Sequence, residues 1–230
     1  MIIETYHLIE GAKQAEGLAV IIDVFRAFSM ECYLYAMGAR EIRPVGSREA
    51  LFAWRERDDG CVLVGERHGK KLEGCDLGNS PSSIHPGMIR GERVVHSTSA
   101  GTQGIENATR AEEIITGSFV NAKAIAEYIR KKVPEKVSLV CMGKEGIAPA
   151  EEDELCAAYL ENLLIGHEIP GIDAELKGLR SGGGRHFFDP NNQEVFPEPD
   201  FWMCIDRDQF DFVLRIEQDR DGYISRMICL

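Results

Sequence analysis

Two acidic side chains each follow directly after a short apolar run in the sequence. Asp23 comes after the run 18–22, and Glu66 comes after the run 61–65. Runs of this length and composition are typical of strands that are buried on both faces of a sheet. Because ligands of open α/β sheets bind beyond the carboxyl ends of the strands, both carboxylates are placed to hold a metal ion or to polarise a water molecule.

Four consecutive acidic residues begin a predicted helix over 151–165. Acidic residues in a first turn are stabilised by the helix dipole, which accounts for Glu151 and Glu154 without any ligand. Adjacent carboxylates also suit Mg²⁺, which prefers hard oxygen ligands and keeps several of its waters. The spacing does not choose between Glu152 and Asp153, so both are candidate metal ligands.

Arg26 lies three residues after Asp23, so both side chains could serve one site. A guanidinium can donate two parallel hydrogen bonds to an oxyanion, and Arg26 could grip a phosphoryl or carboxylate group in this way. The alternative is structural, with Asp23 capping the following helix and pairing with Arg26. The sequence supports both interpretations.

The segment 74–81 combines two glycines with Asp, Asn and Ser ahead of a proline. Such loops present free backbone N–H groups, and nests of this kind bind anions. Gly78, Asn79 and Ser80 are therefore candidate anion ligands, with an ordinary turn capped by a side chain as the alternative. Asp76 could act as a base or could only shape the loop.

The hydroxyl-rich segment 97–102 follows a predicted strand and precedes a predicted helix. The N-terminal end of a helix, with hydroxyl groups beside it, is a suitable cradle for phosphate. The alternative is that these side chains only cap the helix. The candidate ligands are Thr98, Ser99, Gly101 and Thr102.

The chain has a formal net charge of −12, and its densest basic segment is 65–71. The lack of a longer basic stripe disfavours a nucleic-acid or membrane-surface partner. A small anionic ligand would instead need a local cationic pocket, a bound metal, or both. Lys70 or Lys71 could contact such a ligand, with a solvated turn as the alternative.

Short apolar strands alternate with helices along the chain, which predicts one α/β domain over residues 1–230 with a largely parallel or mixed sheet. The predicted strands lie at 18–23, 42–45, 61–65, 93–97, 113–115 and 137–141. The predicted helices lie at 28–37, 48–57, 104–111, 121–132 and 151–165. The glycine-rich segment 180–192 is predicted to be a mobile loop. Apolar runs at 201–205, 212–217 and 223–228 predict that the chain closes with β structure, the last two runs forming a hairpin.

Seven cysteines are spread along the chain without a C-x-x-C pair. Their odd number and wide spacing disfavour a disulfide framework and a zinc site. No segment approaches the ~20 apolar residues of a membrane span, and the first residues lack the basic and apolar regions of a secretion signal. We therefore expect a cytoplasmic protein without a membrane partner, and a homo-oligomer is compatible with the sequence.

The order of these motifs resembles that of the 2-phosphosulfolactate phosphatase family. The resemblance covers about residues 18–164, with a weaker similarity at 201–216, and the segment 76–81 is its most specific part. The matching segments are 22–27, 65–69, 74–81, 98–102, 118–122, 152–153 and 156–157. The resemblance implies a three-layer α/β/α architecture and a Mg²⁺-dependent phosphatase. Its implied reaction converts (R)-2-phospho-3-sulfolactate to 3-sulfolactate and phosphate, a step toward coenzyme M.

Together with this resemblance, the polar clusters form one mechanistic hypothesis, in which Mg²⁺ neutralises phosphate charge and could activate the attacking water. The candidate metal ligands are Asp23, Glu66, Glu152 and Asp153. The candidate phosphoryl ligands, which would stabilise charge in the transition state, are Arg26 and the loops 79–80 and 98–102. The candidate ligands of a second anion, a sulfonate or a carboxylate, are Lys70 and Lys71.

Departures from the family pattern bear on the substrate. The family usually has Thr-Thr-Asn-Gly-Thr at 98–102, and Ala100 replaces its amide, which could bind the ligand or a metal-bound water. Cys75 replaces a usual aromatic residue, and Phe28 and Ser29 replace a usual Ser-Thr pair. Two alternatives therefore stand beside the main hypothesis. One is a phosphatase acting on another small phosphorylated 2-hydroxy acid, and the other is a non-catalytic anion-binding protein.

Overall fold

A computed structural model describes residues 1–167 and 169–230 of the chain as an α/β fold around a ten-stranded sheet. The strands are β1 (Ile2–His7), β2 (Gly17–Ile22), β3 (Glu41–Pro44), β4 (Val62–Arg67), β5 (Lys70–Lys71), β6 (Arg93–Ser97), β7 (Ala111–Gly117), β8 (Lys136–Cys141), β9 (Phe212–Asp219) and β10 (Gly222–Cys229). The helices are α1 (Leu8–Ala12), α2 (Ala27–Ala36), α3 (Arg48–Arg57), α4 (Pro86–Ile89), α5 (Gly101–Asn107), α6 (Ala122–Lys132), α7 (Glu151–Ile165), α8 (Ile172–Gly178) and α9 (Glu198–Ile205).

The sheet has the strand order β1-β8-β2-β7-β9-β10-β3-β6-β4-β5. The strands β1, β8, β2 and β7 form one parallel group, and β3, β6 and β4 form another. The antiparallel hairpin β9–β10 joins them, pairing antiparallel with β7 on one side and with β3 on the other. The prediction of a mixed sheet with a closing hairpin is thus confirmed, and the hairpin lies in the middle of the sheet.

The two parallel groups run in opposite directions, because three antiparallel pairings separate β7 from β3. In a flat sheet the loops after β2 and after β6 would leave at opposite edges. Large sheets twist, however, and here these loops meet: a Cβ on Gly101, after β6, would lie 2.9 Å from Oδ2 of Asp23, after β2. Loops from both parallel groups therefore contribute to one site.

Helices cover both faces of the sheet, as the predicted three-layer architecture requires. Successive side chains of β2 alternate between the faces, as the period of a strand dictates. Val20 and Ile22 pack in a core cluster with α6, α7 and α9, whereas Ala19 and Ile21 pack on the other face with residues of α1 and α5. Burial on both faces explains why this strand is a continuous apolar run.

The segment 201–205 lies in helix α9, so the expectation that it belongs to the closing β structure is wrong. Phe201 and Cys204, one helical turn apart, are fully buried in the core cluster that α9 shares with α6 and α7. Acidic residues in the first turn, Glu198 and Asp200, suit the N-terminal end of a helix. A five-residue apolar run is too short for its periodicity to distinguish the two structures.

The remaining differences concern element boundaries and the segment 180–192. Helix α5 begins at Gly101 rather than at residue 104, and β7 already begins at Ala111. The segment 180–192 contains short 3-10 turns at Leu179–Ser181 and Arg185–Phe188. Its mobility, like the single-domain organisation, stays a prediction. No helix within the described residues combines the length and hydropathy that crossing a membrane requires.

Candidate functional site

A cleft of about 750 Å³ lies where the loops after β2, β4, β6 and β8 approach the N-terminal end of α7. The segment 181–196 forms its remaining wall. The lining includes all of the carboxylates predicted as metal ligands, namely Asp23, Glu66, Glu152 and Asp153. These four side chains come from three places in the fold, the end of β2, strand β4 and helix α7, so the fold brings together residues that are far apart in the sequence.

Asp23 is nearly buried and accepts a hydrogen bond from the backbone N–H of Ala27 at 3.2 Å. Burial, together with the nearby carboxylate of Glu66, raises the pKa of Asp23 to about 6, against the lowering effect of the backbone N–H groups of Ala27 and Gly101. The hydrogen bond from Ala27 agrees with the capping role considered from the sequence. The accompanying ion pair with Arg26 is absent among the described residues.

Glu152, in the first turn of α7, is the cleft carboxylate with an unused acceptor. Its Oε2 is buried and receives no hydrogen bond from the residues that the structure describes. Burial raises the pKa of Glu152 to about 7, and the charges of Asp23 and Glu151 raise it too. A lone pair in this environment favours a proton or a cation.

Glu66 and Asp153 use their carboxylate oxygens to hold backbone loops. Glu66 accepts from the N–H groups of Ser99 at 2.6 Å and Gly69 at 2.7 Å. Asp153 accepts from the N–H groups of two other loops, at 2.9 Å and 2.8 Å. Burial, followed by the charges of Asp23 and Glu152, raises the pKa of Asp153 well above its ordinary value. Asp23 and Glu152 are therefore the carboxylates least committed to the backbone.

Arg26 lines the cleft, but most of its guanidinium is already engaged. Nη1 donates to the carbonyl of Val195 at 2.9 Å and to Oδ2 of Asp200 at 2.7 Å, and Nη2 donates to the carbonyl of Gly69 at 3.1 Å. The ring of Phe196 lies 4.9 Å from the guanidinium carbon. Nε and one Nη2 proton remain for a ligand, so a two-bond grip through both Nη atoms would require these contacts to break.

The segment 70–80 lies mainly at a second cleft, of about 770 Å³, which adjoins the first. Arg26, Gly69 and Asn79 line both clefts. The predicted residues found only at the second cleft are Lys70, Lys71, Asp76, Gly78 and Ser80. Most of the loop that was predicted to bind anions, and both lysines, therefore lie outside the cleft that contains the carboxylates.

Two residues of this loop have evident structural partners. Asp76 accepts from the N–H of Leu63 at 2.8 Å and pairs with Arg55, which favours the loop-shaping interpretation over a base. The hydroxyl of Ser80 donates to Asp200 at 3.0 Å. Asn79 differs from both, because its Oδ1 is buried and accepts no hydrogen bond within the described part of the chain.

Some residues of the hydroxyl-rich segment 97–102 cap the helix, and others line the cleft. Thr98 and Thr102 are buried and bond each other reciprocally, each N–H donating to the other's Oγ1, at 3.1 Å and 3.3 Å. Ser99 and Ala100 line the cleft, and the hydroxyl of Ser99 donates to Glu66 at 3.3 Å. Gly101, the first residue of helix α5, lies next to Asp23. The amide that the family usually carries at Ala100 would thus face the cleft.

Sequence reasoning missed three further residues that line the cleft. Lys144 follows β8, and Arg185 and His186 lie in the turn Arg185–Phe188. Burial, together with the charges of Arg26 and Lys144, lowers the pKa of His186 to about 4. These side chains lie in no recognised motif, so no sequence signal marked them.

One group of three potential metal ligands occurs beside the cleft. Among the described residues, His7, Cys141 and Glu154 are the group whose ligand atoms all lie within 4.8 Å of one another. Nδ1 of His7 lies 2.8 Å from Oε1 of Glu154, and the thiol of Cys141 is buried. The arrangement is accounted for by a His–Glu contact over a buried cysteine.

Comparison with known proteins relates the sequence of this chain to a family. The model of the family 2-phosphosulpholactate phosphatase matches residues 3–179. A relative from Caldicellulosiruptor saccharolyticus is 40% identical over 154 residues, which are 65% of this chain and 63% of that protein. A relative from Thermosynechococcus vestitus is 34% identical over 183 residues, 78% of this chain and 73% of that protein. A relative from Bacillus subtilis is 26% identical over 202 residues, 87% of each chain.

All of these relatives bear the name "Probable 2-phosphosulfolactate phosphatase". The match to the Caldicellulosiruptor protein spans less than two thirds of that relative's length. The region that the family model matches contains Asp23, Glu66, Glu152 and Asp153, and it ends before the segment 181–196. The chain belongs to the 2-phosphosulfolactate phosphatase family, whose name denotes phosphoric monoester hydrolases.

Proposed function

We propose that the protein is a Mg²⁺-dependent phosphatase that hydrolyses 2-phosphosulfolactate to 3-sulfolactate and phosphate, the reaction of coenzyme M biosynthesis. The observation that carries the proposal is the pair of nearly buried carboxylates, Asp23 and Glu152, in the cleft of a chain of this family. Free thiols at all seven cysteines suit a reducing compartment, and we propose that the enzyme acts in the cytoplasm.

The donor set of the cleft fits a magnesium ion. Two buried acceptors there, Glu152 Oε2 and Asn79 Oδ1, receive no hydrogen bond from described residues, and the charge of Asp23 raises the pKa of Glu152. A cation would satisfy these acceptors and relieve the repulsion between the carboxylates. Mg²⁺ needs only one or two carboxylates because it keeps several waters. We propose Asp23 and Glu152 as its ligands, with Glu66 and Asp153 holding the surrounding loops.

The hydrolysis needs an attacking water, a stabilised phosphoryl group and a proton for the leaving oxygen. Water adds to phosphorus, the bond from phosphorus to the 2-oxygen breaks, and that oxygen gains a proton, which gives the hydroxy acid and phosphate. When bound, Mg²⁺ would supply positive charge against the phosphoryl oxygens and would acidify a water. The protein contributes the remaining donors of the Arg26 guanidinium, Nε and one Nη2 proton, at the same cleft.

Ala100 favours a second candidate, a phosphatase of the same family that acts on another small phosphorylated 2-hydroxy acid. Ala100 lines the cleft at the position where the family pattern has an amide. Without the amide, one hydrogen-bonding group of the cleft is lost, and each such group contributes to the choice between similar substrates. The carboxylate pair and the reaction type are common to both candidates.

Phosphate release from a panel of substrates tests the proposal. 2-Phosphosulfolactate, 2-phospholactate and phosphoglycolate would each be assayed with Mg²⁺ and with EDTA. We expect Mg²⁺-dependent release with the highest kcat/KM for 2-phosphosulfolactate. A higher kcat/KM for 2-phospholactate or phosphoglycolate would support the second candidate. Calorimetric binding of these compounds without release from any of them would contradict both and indicate an anion-binding protein.

A further inference from the structure

We propose that Lys144 and Arg185 form a specificity site that binds the acidic group of the substrate remote from its phosphate, a sulfonate or a carboxylate. The inference rests on the proposed function, because it concerns the same cleft. It replaces Lys70 and Lys71 in this role, since both of those lysines lie at the second cleft, away from the carboxylates Asp23 and Glu152.

Lys144 and Arg185 are exposed at the cleft, and neither has an acidic partner within 4.0 Å among the described residues. The nearby carboxylates have other contacts: Glu145 lies 2.9 Å from Nδ1 of His68, and Glu151 accepts from the N–H of Gly183 at 2.7 Å. Arg26, by contrast, is neutralised by Asp200 at 2.7 Å. The two positive charges are therefore available to a ligand, in a protein whose net charge is −12.

His186 shows that these cations lie around a common volume. The charges of Arg26, Lys144 and Arg185 all act on its imidazole, and together with burial they keep it neutral at physiological pH. A neutral imidazole can donate or accept a hydrogen bond without adding charge. Lys144 and Arg185 thus line the same cleft as Asp23 and Glu152, and the charge of Lys144 also acts on Glu152, whose pKa it lowers.

The turn that carries Arg185 is fixed by its neighbours. Phe187 is fully buried, with its ring 5.1 Å from that of Phe25 in an edge-to-face contact. A Cβ on Gly184 would lie 2.4 Å from the ring of Phe201, so the backbone approaches helix α9 closely. The ring of His186 lies 4.3 Å from that of Phe187, tilted by 34°. The packed turn therefore places Arg185 at the cleft, where its guanidinium can bind an oxyanion with two parallel bonds.

The charge pattern selects a class of substrate. A molecule with two anionic groups could meet the proposed metal site with its phosphate and the two cations with its second anion, whereas a simple phosphate ester would leave the cations unpaired. Arg185 lies beyond residue 179, where the family match ends. This selection would therefore come from a segment beyond the region that the family model matches, while the carboxylates come from within that region.

The variants Arg185→Gln and Lys144→Gln test the proposal, with Arg180→Gln as the matched control. Arg180 is an exposed residue of the same segment that contacts Phe188 and does not line the cleft. We expect kcat/KM for 2-phosphosulfolactate to fall roughly 10- to 100-fold in each cleft variant, the usual effect of losing one charged hydrogen bond. The values for p-nitrophenyl phosphate, which lacks a second anion, and for the control should stay within about twofold of wild type.

Comparison of two substrates identifies the bound group. A smaller loss for 2-phospholactate, which has no sulfonate, assigns the site to the sulfonate, and an equal loss assigns it to the carboxylate. Unchanged kinetics, or an equal loss with p-nitrophenyl phosphate, would overturn the proposal. If the wild-type protein releases no phosphate, the proposed function fails, and calorimetry with 3-sulfolactate decides the site separately. Binding at least about tenfold weaker in Arg185→Gln supports it, and equal binding overturns it.

Discussion

Arg26 and Asp200 form a buried ion pair, with 2.7 Å between Nη1 and Oδ2, although they are 174 residues apart in the sequence. The other oxygen of Asp200 accepts from the hydroxyl of Ser80 at 3.0 Å and from the N–H of Ser82 at 2.9 Å. Asp200 therefore joins the loop after β2, the loop at 80–82 and helix α9. Its contacts fix Arg26 beside the carboxylates.

Replacing Asp200 by Asn should destabilise the protein strongly. The substitution leaves the guanidinium of Arg26 buried without a countercharge, and breaking such a pair costs about 3–5 kcal/mol. Urea denaturation would measure the free energy of unfolding. Asp173→Asn, which breaks an exposed pair with Arg207, is the control and should leave this free energy nearly unchanged. Equal effects of the two substitutions would contradict the importance of the buried pair.

Gly101→Ala should lower phosphate release by displacing Asp23. The new Cβ would lie 2.9 Å from Oδ2 of Asp23 and 3.0 Å from Cβ of Ala27, so at least one of them must move. A displacement near 1 Å at a catalytic group costs about 100-fold in rate. Gly87→Ala is the matched control because nothing lies within 4 Å of its Cβ. A kcat/KM equal to that of wild type in Gly101→Ala would show that phosphate release does not depend on the position of Asp23.

Asp23→Asn should reduce kcat/KM by about 100-fold or more, since it removes a charged ligand from the proposed metal site. The loss should persist at saturating Mg²⁺ if the carboxylate also positions the reacting groups. Because an amide oxygen can still accept from the N–H of Ala27, the isosteric Asn should leave the fold intact, which circular dichroism would check. A rate near that of wild type would exclude Asp23 from the site.

Mg²⁺ binding should depend on pH in a defined direction. The pKa of Asp23 is about 6, against an ordinary value of 3.8, and that of Glu152 is about 7, against 4.5. Both groups hold protons that the unfolded chain has already lost, so they stabilise the metal-free protein at low pH. This stabilisation disappears as pH rises through 6 and 7.

Mg²⁺ requires the deprotonated carboxylates, so it should raise Tm clearly at pH 8 and little at pH 5. Thermal melts with Mg²⁺ and with EDTA would measure the difference. Glu152→Gln removes one titrating group. In this variant, Tm should fall less between pH 5 and pH 8, and Mg²⁺ should raise Tm less. An equal Mg²⁺ response at the two pH values would contradict this assignment.

The sequence predicted the elements with clear local signals. Helices Arg48–Arg57 and Glu151–Ile165 begin and end where expected, because the Ser47 cap and the acidic first turn mark their starts. The mixed sheet followed from alternating apolar runs and helices. Its strand order did not, because the insertion of β9–β10 between the parallel groups depends on contacts distant in the sequence.

In the candidate site, too, the residues with a local sequence signal could be predicted and those that depend on distant contacts could not. Asp23 and Glu66 could be singled out because each follows an apolar strand, and the structure places both at one cleft. The partner of Arg26 could not be predicted, since Asp200 is 174 residues away on helix α9, where the sequence predicted β structure over 201–205. Lys144 lies in no recognised motif, and only the folded chain brings it near Arg185 and His186, which are neighbours in the sequence.

The most direct test of the account is phosphate release from 2-phosphosulfolactate by the wild-type protein and by Asp23→Asn, each with Mg²⁺ and with EDTA. We predict release by the wild-type protein with Mg²⁺, almost none with EDTA, and a rate about 100-fold lower in the variant with Mg²⁺. Equal release with Mg²⁺ and with EDTA, or equal rates for the two proteins, would contradict a metal-assisted phosphatase centred on Asp23.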